Sequence, residues 1–345
     1  MKTTVACLSV LALLVSLPLL LVHRRVAAQP SAAQLPTLAS LQLTGPYVYR
    51  NLAIFAVHDR DTTHHEEILT LQEALAKKVV TIAETGRVNQ LVASNKGNKS
   101  VYLQSGDIVK GGQQDRVLQH DTLLPPKAKR VPLAAFCVES GRWHGRGREP
   151  VRHFSSSNAT IMTKRQKLAV KVRGQQGAVW DSVAAAQADI GRNVGHSVRS
   201  AVSATSLQLS LEDRKLGATV DEYVRHMEKQ LPKDGNVVGF AVAVNGDVDS
   251  VEVFASPKLF GKMKGKLLKA SATEAVSAKQ GKQGPVPTTA AVRALITDAE
   301  SGAARTEKQT LRTHVTRKET RKNVVFETMD PMVPSKAVHK SYLAK

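Results

Sequence analysis

The chain has 345 residues and a formal net charge of +20, from 49 Lys and Arg against 29 Asp and Glu, with only 4% aromatic residues. That length supports one large domain or two small ones with a real core. The charge either implies attraction to phospholipid headgroups, cell-wall polymers or other polyanions or serves solubility alone, and the basic segments lack interleaved aromatics for stacking on bases, which argues against specific nucleic-acid binding.

Residues 5–22 (VACLSVLALLVSLPLLLV) form an apolar run behind Met1-Lys2, and Val26-Ala27-Ala28 places small residues where a signal peptidase would cut. The reading is a leader over 1–28, cleaved after Ala28, with Ala33 as the second site. His23-Arg24-Arg25, directly behind the apolar run, keeps open an uncleaved membrane anchor. The body is thus expected to be exported, periplasmic or extracellular, meeting a membrane only through residues 5–22 if these are retained. Of the two cysteines, Cys7 lies in the leader and Cys137 is alone in the rest, so the mature chain has no intrachain disulfide.

Residues 29–44 read as a Pro-containing linker, and 45–345 as a single α+β domain, β-rich over 45–145 and helical with hairpins over 160–345. Val48 to Val57 has strand character. Thr70-Leu71-Gln72-Glu73 is a capping box opening a short amphipathic helix. Six short apolar stretches follow between 79 and 138, ending in RVPLAAFCV and punctuated by turns, a spacing that suggests a β-sandwich or barrel-like sheet. Residues 145–160 read as an exposed basic loop and 191–210 as a Ser/Gly/Asn-rich loop. Helices are predicted near 175–190 and 219–231, the second with Val220, Tyr223, Val224, Met227 and Leu231 on one stripe and Pro232 as the stop. GFAVAVNGDVDSVEVF reads as two strands joined by an Asn245-Gly246 type I′ turn. Ser256-Pro257 caps a lysine-rich helix, which could pack on the core or lie on an anionic membrane. Pro287 opens a helix through Leu295, and TLRTHVT, NVVFETM and VHKSYLA are read as C-terminal strands.

Two segments could carry chemistry. In Ser105 to Arg116 the pair Gly111-Gly112 allows positive φ and close backbone approach, so its N–H groups could face an anion, while Gln114 and Arg116 would add directional donors. The spacing fits neither a Walker loop nor a dinucleotide fingerprint, and a plain glycine turn accounts for it equally well. In Cys137-Val138-Glu139-Ser140-Gly141-Arg142-Trp143-His144, Cys137 could act as a thiolate with His144 as its base, or serve as a small buried hydrophobe. Glu139 and Arg142 could line a site or pair with each other. Trp143 could stack on a ligand or on Arg142, or plug the core. The run from His58 to Glu67 is dense in ligand-type residues but matches no defined zinc spacing, so no metal site and no cofactor are predicted. Asn98-Lys99-Ser100 and Asn158-Ala159-Thr160 match the glycosylation sequon.

The combination GG-x-Q-x-R with C-x-E-x-GRW, together with LTLQEALAKKVVTIAETGRVNQLVASNKGNKSVYLQSGDIVKGGQQDR, QGAVWDSV, the NG hairpin and the VHKSYLAK end, resembles the ARG and Rhodanese-Phosphatase-superfamily-associated Protein domain family, ARG standing for ADP-ribosylglycohydrolase. The likeness runs from about Val48 onward. It implies nucleotide or ADP-ribose metabolism by association and carries over no catalytic residue. Two readings of function follow. The first is an envelope domain binding an anionic small molecule or polyanion, its cleft lined by Gly111, Gly112, Gln114, Arg116, Glu139, Arg142 and Trp143. The second is a hydrolase of a phosphate- or ribose-containing substrate, with Glu139 as acid or base and Arg116 stabilising charge.

Overall fold

A computed structural model of the chain describes residues 41–59, 67–279, 281–333 and 337–345, with backbone alone at 156–160 and 308. The predicted leader, most of the linker, the centre of the His58–Glu67 run and the Asn158 sequon side chain lie outside the described residues. Among the described residues no helix is long and apolar enough to cross a membrane.

The segment read as one strand around Val48 is a hairpin, β1 (Gln42–Tyr49) and β2 (Leu52–His58), because Arg50 takes a left-handed turn at φ 51°. β3 (Leu69–Thr70) leads into α1 (Leu71–Ala76), whose capping box is present in both directions, Glu73 N–H donating to Thr70 Oγ1 and Thr70 N–H to Glu73 Oε2. Next come β4 (Val80–Glu84), β5 (Gln90–Asn95), β6 (Val101–Leu103), β7 (Asp107–Gly111), β8 (Arg116–Leu118), β9 (Thr122–Leu124), β10 (Val131–Cys137) and β11 (Phe154–Ile161). Two of these correct the sequence reading. β7 lies inside the motif read as a glycine loop, since Ile108 and Val109 are both buried, and β11 occupies half of the predicted basic loop.

The helical part opens with α2 (Lys164–Leu168), which runs on through a π-helical turn (Ala169–Arg173), and continues with α3 (Gln176–Val194), α4 (Leu207–Leu211) and α5 (Arg214–Gln230). α3 ends where Gly195 takes φ 80°. α5 starts five residues before its predicted start because Asp213 caps it, accepting from the amides of Lys215 and Leu216, and Leu216 extends the buried stripe backwards. The clear hairpin is β12 (Val237–Val244) and β13 (Asp247–Phe254), with Asn245 and Gly246 both at positive φ as a type I′ turn requires. α6 (Pro257–Ser277) and α7 (Thr289–Glu300) precede β14 (Ala303–Thr310), β15 (Thr313–Glu319), β16 (Asn323–Met329) and β17 (Ala337–Ala344). The predicted TLRTHVT strand is in fact the β14–β15 turn with the start of β15.

The class is α+β. A six-stranded sheet in the order β11-β7-β8-β10-β5-β4 curls until its two edges meet at the bridge Ala83↔His153, forming a nearly closed barrel. β10 makes the curl possible by pairing with β5 through Val131–Ala134 and with β8 through Ala135–Cys137. A small β3-β6-β9 sheet adjoins it. The eight-stranded antiparallel sheet runs β1-β2-β12-β13-β17-β16-β15-β14, so the N-terminal hairpin belongs to the C-terminal sheet.

Both faces of the large sheet are covered. α3, α5 and α6 bury Ile54, Phe240 and Val242 on one side, while α7 sets Val292, Leu295 and Ile296 against Phe55, Val251 and Tyr342 on the other. This is why β2 and β12 read as unbroken apolar runs rather than alternating ones. The lysine-rich helix is α6, and it packs on the core. Lys266 is buried against Asp107, and Lys262 reaches Glu73 and the Ile68 carbonyl.

Gly239 is required by close approach, because a Cβ there would sit 2.0 Å from the Glu252 carbonyl oxygen on the neighbouring strand. Gly239→Ala is expected to destabilise the fold by ~1–3 kcal/mol, read as a lower urea midpoint at unchanged slope.

Candidate functional site

The β7–β8 hairpin and the segment after β10 bring the two predicted motifs together. Arg116 on β8 lies opposite Cys137 on β10, and Arg142 folds back onto Gly112 and Asp115 in the β7–β8 turn. The centre is an ion cluster. Arg142 Nη2 lies 2.6 Å from Glu139 Oε2 and 3.7 Å from Asp115 Oδ1, while its Nη1 donates to the Gly112 and His144 carbonyls. Arg146 grips Asp115 with both terminal nitrogens, at 3.0 and 3.1 Å, and also reaches Glu139 and Glu149. Ser206 and Ser203 add hydroxyl donors to Asp115 and Glu139. Burial works against ionisation of Glu139, but hydrogen bonds from Arg142 and Ser203 prevail and hold its carboxyl below the usual range.

Several assigned roles change. The Gly111 and Gly112 amides do not face outward: they donate to Asp115 Oδ1 and the Pro150 carbonyl. Gly112 is nonetheless fixed as glycine, because at φ +57° its Cβ would meet Phe154 at 2.3 Å and Glu84 Oε1 at 2.6 Å. Gln114 is buried, and its backbone carbonyl accepts from Arg116 Nη1 at 2.8 Å. Glu139 has both oxygens engaged by Arg142, Arg146, Ser203 and the Asp115 amide, so it holds the cluster and has no open position for acid–base work.

Cys137 and His144 do not form a nucleophile and base. The thiol is fully buried and pushed by that burial to about 11, while His144 is an exposed residue. The Cys137 backbone is clamped by the Gln176 carboxamide, which donates to its carbonyl and accepts from its amide. Trp143 stacks not on Arg142 but over Arg116, 5.5 Å from ring centroid to guanidinium carbon, and stays 45% exposed.

Arg142 Nε and Nη2 lack hydrogen-bond acceptors, but that guanidinium stands 2.6 Å from Glu139, whereas Arg116 is held less closely. The Arg116 side chain is fully buried, yet neither its Nε nor its Nη2 has a hydrogen-bond acceptor, and Glu84 Oε1 stands 3.6 Å from Nη2. Glu84 Oε2 and Gln113 Oε1, beside it in the fold, are also unpartnered.

Sequence reasoning missed Arg146, which sits in the run taken for an exposed loop but is 6% exposed. Asp115 and Glu139, two acidic residues inside otherwise apolar or glycine-rich motifs, were the available signal that another cation had to arrive.

A second polar assembly was also unseen. The first half of the same motif feeds it, with Asp107 bonded to Lys266 and Ser105 N–H donating to Asp121 Oδ1 at 2.7 Å. Asp121 Oδ2 meets His339 Nδ1 at 2.7 Å, His339 Nε2 meets Glu252 Oε2 at 2.8 Å, and Glu252 binds Lys167. This chain of alternating charge spans the barrel loop before β9, strands β17 and β13, and helix α2. Burial lowers the His339 basicity, but Asp121 and Glu252 overcome it and raise its pKa above 6.5. Burial likewise opposes ionisation of Glu252, yet Lys167 and His339 draw it down to about 2. Among the described residues no group of three or more His, Cys, Asp or Glu is arranged to hold a metal ion.

The family model of the ARG and Rhodanese-Phosphatase-superfamily-associated Protein domain, ARPP-1, matches residues 40–343. The chain belongs to this family. No curated protein and no solved structure matches it. The ARPP-1 match covers the barrel, the large sheet and the seven α-helices of the described residues, so both polar assemblies lie within the domain.

Two outcomes follow for the ARPP-1 domain. His339→Gln strands two buried carboxylates and is expected to cost ~3–5 kcal/mol in chemical denaturation. In the parent protein, the His339 contribution is complete below pH 6.5 and fades as pH rises through its raised value. The Glu252 contribution is complete above 4.5 and fades as pH falls toward 2, so the H339Q deficit is greatest between those limits. Iodoacetamide at pH 8 is expected to leave Cys137 unmodified in the native protein and to alkylate it after unfolding, followed by intact mass.

Proposed function

We propose that this ARPP-1 domain binds a small anionic molecule, with Arg116 as the receptor and Trp143 as the cover. The observation that carries the reading is the buried Arg116 guanidinium with two nitrogens lacking acceptors. Buried polar atoms normally find partners, and a planar cation presenting Nε and a terminal nitrogen matches the two oxygens of a phosphate or carboxylate. Arg142 has the same two nitrogens without acceptors but lies 2.6 Å from Glu139, and Arg146 is committed to Asp115, so Arg116 is the cation with the weakest claim from a carboxylate. Trp143 is the exposed aromatic above the guanidinium, placed to move aside for an anion and then stack on a flat group attached to it.

The family's name, with its ADP-ribosylglycohydrolase and phosphatase-superfamily associations, makes a phosphate- or ribose-bearing ligand the first class to test. Hydrolysis would need a carboxylate other than Glu139. A place outside the cytoplasm belongs to the same proposal, supported by the apolar leader and Val26-Ala27-Ala28, with the large positive charge favouring an anion-rich envelope.

The test is a thermal-shift titration of the full chain with ADP-ribose, ribose 5-phosphate and inorganic phosphate. One of these is expected to raise the melting temperature, the gain reaching about 2.7 kcal/mol at a hundred times Kd. Binding should also change the fluorescence of Trp143, one of only two tryptophans. Arg116→Gln should abolish both signals while keeping cooperative unfolding. Undiminished binding by R116Q would sink the reading, and binding that merely decays steeply with salt in both proteins would assign it to the net charge.

A further inference from the structure

A hollow lies between the outer wall of the barrel and the β14–β15 hairpin of the large sheet, and it shares no lining residue with the Arg116 cluster. Its floor comes from β10 and its neighbours. Pro132 and Ala134, two residues apart on one strand, both point outward, while Leu133 between them faces the barrel core. Gln309 and Thr310, at the end of β14, form the opposite side.

Arg87 sits at the rim on the β4–β5 turn. Thr85 fixes that turn, accepting from the Arg87 amide and donating to the Gln90 carbonyl at 2.6 Å. Arg87 is exposed and makes no ion pair among the described residues, and none of the residues lining the cleft is acidic. The volume, about 310 Å³, falls at the lower end of the usual range for small-molecule sites, roughly 300–1,000 Å³. That suits a single-ring or short-chain ligand and excludes a dinucleotide.

His120 completes the lining. Burial and the nearby Lys171 lower its pKa to about 4 against the opposite pull of Glu307 and Asp121, so at neutral pH the imidazole is uncharged. Its Nδ1 is buried without a hydrogen-bond partner. The hollow therefore offers one cation at the rim, an apolar strip along the floor, a neutral imidazole within and a carboxamide and a hydroxyl opposite.

We infer that this cleft binds a small organic carboxylic acid, its carboxylate on Arg87 and its apolar body on Pro132 and Ala134. An anion without a body would meet only the rim and leave the strip uncovered. A neutral molecule of the same shape would forgo the guanidinium. The imidazole and the Gln309 carboxamide then supply hydrogen bonds to polar substituents on the body.

Calorimetric titration of the full chain with benzoate and hexanoate tests the inference, with benzyl alcohol and inorganic phosphate as the neutral and bodiless comparisons. At least one carboxylate is expected to bind with one site per chain and to shift the His120 imidazole resonances. Arg87→Ala should weaken it at least tenfold. Ala134→Glu, which places a like charge on an exposed floor position, should abolish it, and R116Q should leave it unchanged. Failure of both carboxylates to bind, equal binding by R87A, or equally tight binding of phosphate would each overturn the assignment. Loss of binding in R116Q would move the site to the Arg116 cluster.

Discussion

The chain Asp121–His339–Glu252–Lys167 ties the barrel to the large sheet, and most of the architecture is arranged around keeping it dry and paired. Each charge lies within a few ångströms of one of opposite sign, so removing any link leaves a neighbour stranded in a low-dielectric interior. Phe254 stacks on the His339 ring at 4.3 Å and Tyr102 approaches it edge-on, closing the seam against water. Lys266 on Asp107 repeats the device one helix away, and Lys171, also buried, lies over the Phe326 ring. Such pairs are poor sources of net stability compared with apolar packing, but they tolerate only one mutual placement of the two sheets, which apolar faces alone would leave free to slide.

The Arg142–Glu139–Arg146–Asp115 cluster follows the same logic at the other end of the β7–β8 hairpin. It secures the turn after β10 and holds Arg116 in place without satisfying it. The hairpin thus carries charges in close opposite pairs at the Asp107 end and a cation whose carboxylate stands 3.6 Å away at the Arg116 end. Where most buried charges are held at closer range, that cation is where a ligand is to be sought.

What the sequence disclosed depended on whether a signal was local. Asn245-Gly246 and the Thr70–Glu73 box specify their geometry within four residues and came out as read. The meeting of the two segments, Arg142 with Gly112 and Asp115, was foreshadowed by polar and glycine residues clustering at the ends of otherwise apolar strands. Arg146 was not, since a basic residue in a Gly- and Arg-rich run looks the same whether water or Asp115 receives it. β7 was hidden for a related reason: its glycines suggested a loop, whereas Gly111 at φ 114° ends a strand that Ile108 and Val109 bury. Asp121, Glu252 and His339 are far apart in the chain, and nothing short-range marks them as partners.

The large sheet places β2 beside β12, joining Leu52 to Val244 across nearly the whole intervening barrel and helix bundle. During synthesis the first hairpin is made long before the strand that covers its flank, and it must wait with an unpaired apolar edge until the second half of the chain arrives. The barrel has no such dependence, as all its strands lie between Val80 and Ile161. Order of assembly is therefore built into the topology: the middle of the polypeptide can organise first, and the two ends of the chain close around it last.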